Sequence, residues 1–210
     1  MTPLVVAFAI VGAAWGLLAD RVASRWPAHE DGSRRAPGWR TAVAIGVGGA
    51  SVGLLAARVT EPGPLALFTA WFAVLTLLLA TDLDQRLLPD VITLPLIPIS
   101  AVVMVLGVNP LVAGNEPPAI ATAIVVPLGL YLVSIPFGAG ALGLGDVKLL
   151  VSVGLVQGME RTVTGLFAGA ILAGVVLLVL LVARRITLKT YVPFGPFLII
   201  GAMWGLLAYA

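Results

Sequence analysis

Residues 65–84 read LALFTAWFAVLTLLLATDLD, an uncharged run from Leu65 to Thr81 that ends on two carboxylates, Asp82 and Asp84. A membrane-spanning helix needs about 20 mostly apolar residues, within a range of about 17–25. The stretch therefore reads as a span that delivers acid to one membrane face. Seven further runs have the same character: 3–19, 41–57, 91–107, 119–138, 142–158, 162–183 and 194–209. The expected architecture is all-α, a polytopic transmembrane bundle of about eight helices. Met1-Thr2-Pro3 offers no basic region of the kind that opens a signal peptide, so 3–19 is expected to be a retained helix. Composition agrees with the bundle. The 210 residues are 60% hydrophobic and 10% charged, against roughly 45–50% and about 25% in an average soluble domain.

The same inventory excludes several chemistries. There is no cysteine and one histidine, His29. That removes disulfides, thiolate zinc sites and any metal site built on several histidines of one chain. A net charge of +2 gives no footprint for nucleic acid. The distribution of charge is more informative. With the N-terminus outside, the inner loops carry Arg21, Arg25, Arg34, Arg35, Arg40, Arg86, Lys148, Arg184, Arg185 and Lys189, and the outer loops only Arg58 and Arg161. Ten against two follows the positive-inside rule, and an even number of spans places both termini outside. Residues 20–40 form a short basic connector on the inner face, where its arginines would meet anionic lipid and Trp26 and Trp39 would rest at the headgroups. Gly12/Gly16, Gly165/Gly169 and Gly201/Gly205 have the spacing of close helix packing. Pro95, Pro98 and Pro127 are expected to kink or locally unwind their helices.

Most acids have plain readings. Asp20, Glu30 and Asp31 belong to the connector, and Glu61, Glu116 and Glu160 to outer loops. Asp90 follows Pro89 and reads as a helix N-cap; Asp84 reads as a solvated loop residue; Arg86 is spaced to pair with Asp82 in an exposed contact. Asp146 sits in a glycine-dense stretch from Gly138 to Lys148, where it could cap a helix and where Lys148 could snorkel or hold it charged. Asp82 and Asp146 fall at the same membrane depth on separate helices. Two carboxylates brought together there would share a proton, one activating water while the other protonates a carbonyl oxygen or leaving amine. This is aspartyl peptidase chemistry and needs no metal. Gly143 and Gly145 would let an extended substrate backbone approach.

Four local patterns carry a resemblance to a known family. They are Asp82-Leu-Asp84-Gln-Arg86-Leu-Leu-Pro89-Asp90, Gly143-Leu-Gly145-Asp146-Val-Lys148, Val192-Pro193-Phe194-Gly195-Pro196-Phe197, and Gly16-x-x-x-Asp20-x-x-x-x-Arg25-x-Pro27. Together they resemble the type IV prepilin peptidases, membrane aspartic proteases of the Gly-x-Gly-Asp class. The resemblance implies catalytic Asp82 and Asp146, supporting Asp84 and Asp90, and substrate contacts at Gly143, Gly145 and Lys148. It implies a six-helix peptidase core over 61–210, after a helix pair over 1–60 that is a reduced counterpart of a methyltransferase region. It also implies a bacterial inner-membrane protein whose active site faces the cytoplasm. The substrate partner would be a prepilin or pseudopilin precursor, of type IV pili or type II secretion, cut between its basic leader and its hydrophobic segment. Many members also methylate the new N-terminus with S-adenosylmethionine and carry Cys-x-x-Cys pairs in a longer first loop. That loop is short and cysteine-free here, so S-adenosylmethionine is expected only if methyl transfer is retained. Two other readings compete. A proton-coupled transporter would place acids near the midplane in symmetric halves, and a silent scaffold would use Asp90 and Asp146 as caps.

Overall fold

The computed structural model describes residues 3–27, 35–137, 142–187 and 193–209. Glu30, Asp31 and Arg34 of the connector, His29, Gly138 and Gly140, Lys189 and Val192 lie outside the described residues. Among the described residues the elements are α1 (Pro3–Ala23), α2 (Trp39–Arg58), α3 (Pro62–Gln85), α4 (Asp90–Val105), α5 (Glu116–Ser134), a single 3-10 turn (Ile135–Phe137), α6 (Leu144–Val182) and α7 (Gly195–Ala208). The chain is a helical membrane protein. Five helices, α1, α2, α3, α5 and α6, are long and apolar enough to cross a bilayer. α4 and α7 have 16 and 14 residues, or roughly 24 and 21 Å at 1.5 Å per residue.

α3 is the central post. It opens on Pro62, whose missing N–H has no partner to lose in a first turn. Phe68, Phe72, Leu75, Leu78 and Leu79 share one apolar core with Leu149 and Leu150 of α6 and Leu198 and Leu206 of α7. The outer faces stay apolar: Val105, Phe167, Ile171, Leu178 and Val182 are exposed. Such a surface is stable against lipid and not against water.

α1 and α2 pair antiparallel through small residues. A Cβ at Gly12 or Gly16 would overlap the carbonyl oxygens of Gly48 and Ala44, so glycine there lets the backbones touch. The expected packing use of the Gly-x-x-x-Gly pairs also holds between α6 and α7, where Gly165 and Gly169 face Gly201 and Phe197.

Among the described residues there are seven α-helices and not eight, because the runs expected at 142–158 and 162–183 join in α6. The join is a sharp reversal. Gly158 has φ 70° and ψ −175°, a conformation essentially reserved for glycine. Before it, α6 runs alongside α7: Asp146 is near Gly195 and Gln157 donates to the Ala202 carbonyl at 2.8 Å. After it the order inverts, with Arg161 against Gly205, Gly165 against Gly201 and Gly169 against Phe197. The Asn109 side chain donates to the Val156 carbonyl at 2.8 Å, partnering a carbonyl beside the break. The expected unwinding at Pro95, Pro98 and Pro127 does not occur; α4 and α5 run through these residues unbroken.

Other boundaries moved where polar groups are buried. α1 extends past residue 19 to include Asp20, and α3 extends past residue 81 to include Asp82 and Asp84. The ends of α3 and α1, and the heads of α2, α4, α6 and α7, share one end of the bundle. Arg58 at the end of α2 donates to the Leu207 carbonyl at the opposite end.

Candidate active site

Four helix ends build one cavity. α3 stops when Arg86 takes a left-handed conformation, φ 56°, and its N–H closes on the Asp82 carbonyl at 2.8 Å. The chain then crosses on Leu87-Leu88-Pro89 to start α4. α6 begins after Gly143, which puts Asp146 at its third position, and α7 begins at Gly195. The cavity between them has a volume of about 650 Å³ and contains both Asp82 and Asp146.

Asp82 is 4% exposed, and its Oδ2 is buried with no hydrogen-bond partner among the described residues. Asp146 is half-buried and accepts a hydrogen bond from the Gly143 backbone. That bond ties it to the head of its own helix, although it is not the N-cap residue. Gly195 locates the two acids relative to each other. A Cβ on it would stand 2.5 Å from Asp82 Oδ2 and 3.2 Å from Asp146 Oδ1. The two oxygens are thus no farther apart than the sum of those distances, a span that one bridging water covers.

The other expected site residues divide. Gly145 is a packing residue: a Cβ would press on Leu88 Cβ at 2.9 Å, so this glycine seats the head of α6 against the α3–α4 turn. Gly143 is exposed, with only the Asp146 carboxylate close to where a Cβ would stand. Lys148 does not pair with Asp146; its Nζ meets Asp90 Oδ1 at 2.6 Å. Asp90 is not an N-cap. Pro89 holds that position without a side-chain bond, and Asp90 is the first helical residue. The expected exposed Asp82–Arg86 pair does not form: Asp82 is buried, and among the described residues no ion pair joins its carboxylate to Arg86.

Asp84 and Asp20 also depart from their sequence readings. Their side chains are 1% exposed and lie in one ion network. Asp84 receives Arg35 Nε at 2.5 Å and Arg40 Nη1 at 2.9 Å. Asp20 receives Arg21, Arg35 and the Thr41 hydroxyl. Burial alone would pull the Arg35 guanidinium down, but hydrogen bonds to both acids outweigh it and hold its pKa above the usual value. The network pins the connector and the head of α2 to α3, two residues from Asp82. Gln85 adds a bond to the Pro27 carbonyl at 2.7 Å, which places Trp26 and Pro27 in the cavity wall.

Sequence reasoning missed Gly195, Trp26 and the Arg35 bridge. The Pro193-Phe194-Gly195-Pro196 pattern was a signal for the first. Nothing local marked the other two, because both depend on contacts between distant segments.

A family model described as the type IV leader peptidase family matches residues 67–179, which include Asp82 and Asp146. The chain is also 36% identical over 138 residues to a Pseudomonas putida protein named prepilin leader peptidase/N-methyltransferase. That alignment takes in 61% of this chain, which spans a little under half, 46%, of the relative. No solved structure matches. Since the family match extends over more than half of the residues, from the central post through the head of α6 and its reversal, the chain belongs to the type IV leader peptidase family.

Proposed function

We propose that this protein is an aspartic endopeptidase that removes the leader from prepilin or pseudopilin precursors, with Asp82 and Asp146 as its catalytic pair. The observation that carries the reading is the meeting of both carboxylates at Gly195, with Asp82 Oδ2 buried and without a partner among the described residues. Two carboxyl groups this close hold one proton between them. Water bound between them loses a proton to the ionised carboxylate as its oxygen attacks the scissile carbonyl carbon. The protonated partner gives its proton to the carbonyl oxygen, forming a neutral gem-diol. Collapse returns a proton to the amine nitrogen, the C–N bond breaks, and the pair regains its single proton. Each residue acts as acid and base in turn, and no metal takes part.

The bundle would sit in a bacterial inner membrane with the acid pair facing the cytoplasm. In support, Arg21, Arg35, Arg40, Arg86 and Lys148 are at the acid end, and Arg58 and Arg161 at the other. The Pseudomonas relative's name supports a second reading, a bifunctional peptidase and N-methyltransferase. No described residue is assigned to S-adenosylmethionine. One experiment tests both readings: purified protein, a synthetic precursor with S-adenosylmethionine present, and mass spectrometry of the product. The expected result is a cut between leader and hydrophobic segment, abolished in D82N and D146N while both variants still fold and insert. Normal cleavage by either variant refutes the assignment, and an added methyl group establishes the second activity.

A further inference from the structure

Asp90 and Lys148 lie at the rim of the acid cavity and bridge the heads of α4 and α6 at 2.6 Å. The cavity's three carboxylates differ in exposure: the Asp90 side chain is 61% exposed, whereas Asp82 is 4% exposed and Asp146 is half-buried. Asp90 is therefore the cavity carboxylate that faces solvent. A pair this exposed shifts an equilibrium by no more than about five-fold, so the Lys148 ammonium is readily displaced. The cavity runs without a break from this rim to Asp82 and Asp146. A chain lying across the acid pair therefore passes Asp90 on its way to water.

We infer that Asp90 is a specificity-determining residue that receives a cationic side chain from the leader side of the precursor, and that Lys148 occupies this place in the free enzyme. The inference rests on the peptidase reading. On the far side of the cut the precursor is a hydrophobic segment that remains in the bilayer, so a cation at the water-facing rim belongs to the leader. Substrate binding exchanges one ammonium for another at the same carboxylate. The exchange keeps one ammonium on the carboxylate throughout and asks little desolvation of an exposed acid.

The test uses synthetic precursor peptides in detergent micelles, identical except for one leader residue that is Lys or Glu, placed at successive positions before the cut. The readout is the ratio of kcat/KM for the Lys peptide to that for the Glu peptide. The wild type is expected to favour Lys at one position. D90K is expected to swing the ratio toward Glu by about ten-fold or more, attraction having been replaced by repulsion. K148Q, which frees Asp90 of its internal partner, is expected to raise the ratio by up to about five-fold. A pair that only braces the two helices would lower kcat/KM equally for both peptides and leave the ratio unmoved. An unchanged ratio in D90K, or an unchanged or falling ratio in K148Q, overturns the inference, and K148Q decides alone if D90K cuts neither peptide. A folded wild type that cuts neither peptide at any position overturns the peptidase reading, and this inference with it.

Discussion

Adding one methyl group at Gly195 should disable the site while sparing the fold. The Cβ of Gly195→Ala would stand 2.5 Å from Asp82 Oδ2, 2.9 Å from its Cγ and 3.2 Å from Asp146 Oδ1, where ordinary contact begins near 3.4 Å. The Asp82 carboxylate must therefore retreat by about 0.9 Å, or α7 must move away from both acids. Retreat is restricted because Asp82 is itself 4% exposed, in a closely packed end of α3. A reacting group displaced by about 1 Å loses on the order of 100-fold in rate. The loss should fall on kcat, since the cavity walls that bind substrate keep their places. Overpacking costs about 1–3 kcal/mol, enough to lower the thermal midpoint by a few degrees and too little to unfold a bundle. The assay is the initial rate of precursor cleavage over a range of substrate concentrations, beside a melting curve in the same detergent. Gly46→Ala, where nothing lies within 4 Å of the new Cβ, reports the effect of a methyl group alone. If Gly195→Ala cleaves within two-fold of the Gly46→Ala control, the acids do not work at the place the geometry assigns them.

Three further outcomes test the frame that holds the pair. Arg35→Gln removes a cation shared by two buried carboxylates, and breaking such a pair costs about 3–5 kcal/mol; Arg21, Thr41 and Arg40 remain, so the lower end is expected. Adding Asp84→Asn should restore part of the lost thermal midpoint, and no recovery would mean that the bridge carries no charge coupling. Gly158→Ala forces a side chain into a backbone conformation that costs about 1–3 kcal/mol, which should appear as a lower midpoint with KM unchanged. Asn109→Ala strips the Val156 carbonyl of its side-chain donor, a loss of about 1–3 kcal/mol read on the same melting curve.

Much of this was legible in the chain because lipid makes sequence simple. The run from Leu65 to Thr81 could serve only as a span, and the sign bias of the loops sorted helix ends without any contact information. The two acids were legible because their local patterns are distinctive. What was hidden involves distance. Asp20 and Asp84 looked like loop acids because their cations, Arg35 and Arg40, come from segments that reach them only after the bundle forms. The place of Trp26 in the cavity wall was hidden because it depends on Gln85 holding Pro27, 58 residues away in sequence. The two expected spans of α6 were separated correctly in sequence, but the reversal takes a single glycine, where a loop of several residues was expected between 158 and 162. Gly145 and Lys148 were read through Asp146 because they adjoin it in sequence. Their side of the helix belongs instead to Leu88 and Asp90.

The strongest argument for the acid pair is a contrast within the same end of the molecule. Asp20, Asp84 and Asp82 are all deeply buried carboxylates. The first two are surrounded by guanidinium and hydroxyl donors, as a buried charge requires. This chain therefore has the arginines to neutralise acids at that depth, and it uses them two residues from Asp82. Yet Asp82 Oδ2 has no donor among the described residues, and it stands at the place where Asp146 Oδ1 also arrives. Burying a carboxylate without a partner costs several kcal/mol, and a stabilising role would be better served by asparagine or leucine. Such a cost persists where the empty hydrogen-bonding position is needed by something that comes and goes. A water molecule and a peptide carbonyl fit that position, and a permanent arginine would exclude both. Supplying one should therefore stabilise and inactivate together. Leu144→Arg, whose exposed side chain lines the cavity with Asp82 and Asp146, is expected to lose cleavage without loss of thermal midpoint. An active Leu144→Arg with the guanidinium shown to contact Asp82 would defeat the reasoning.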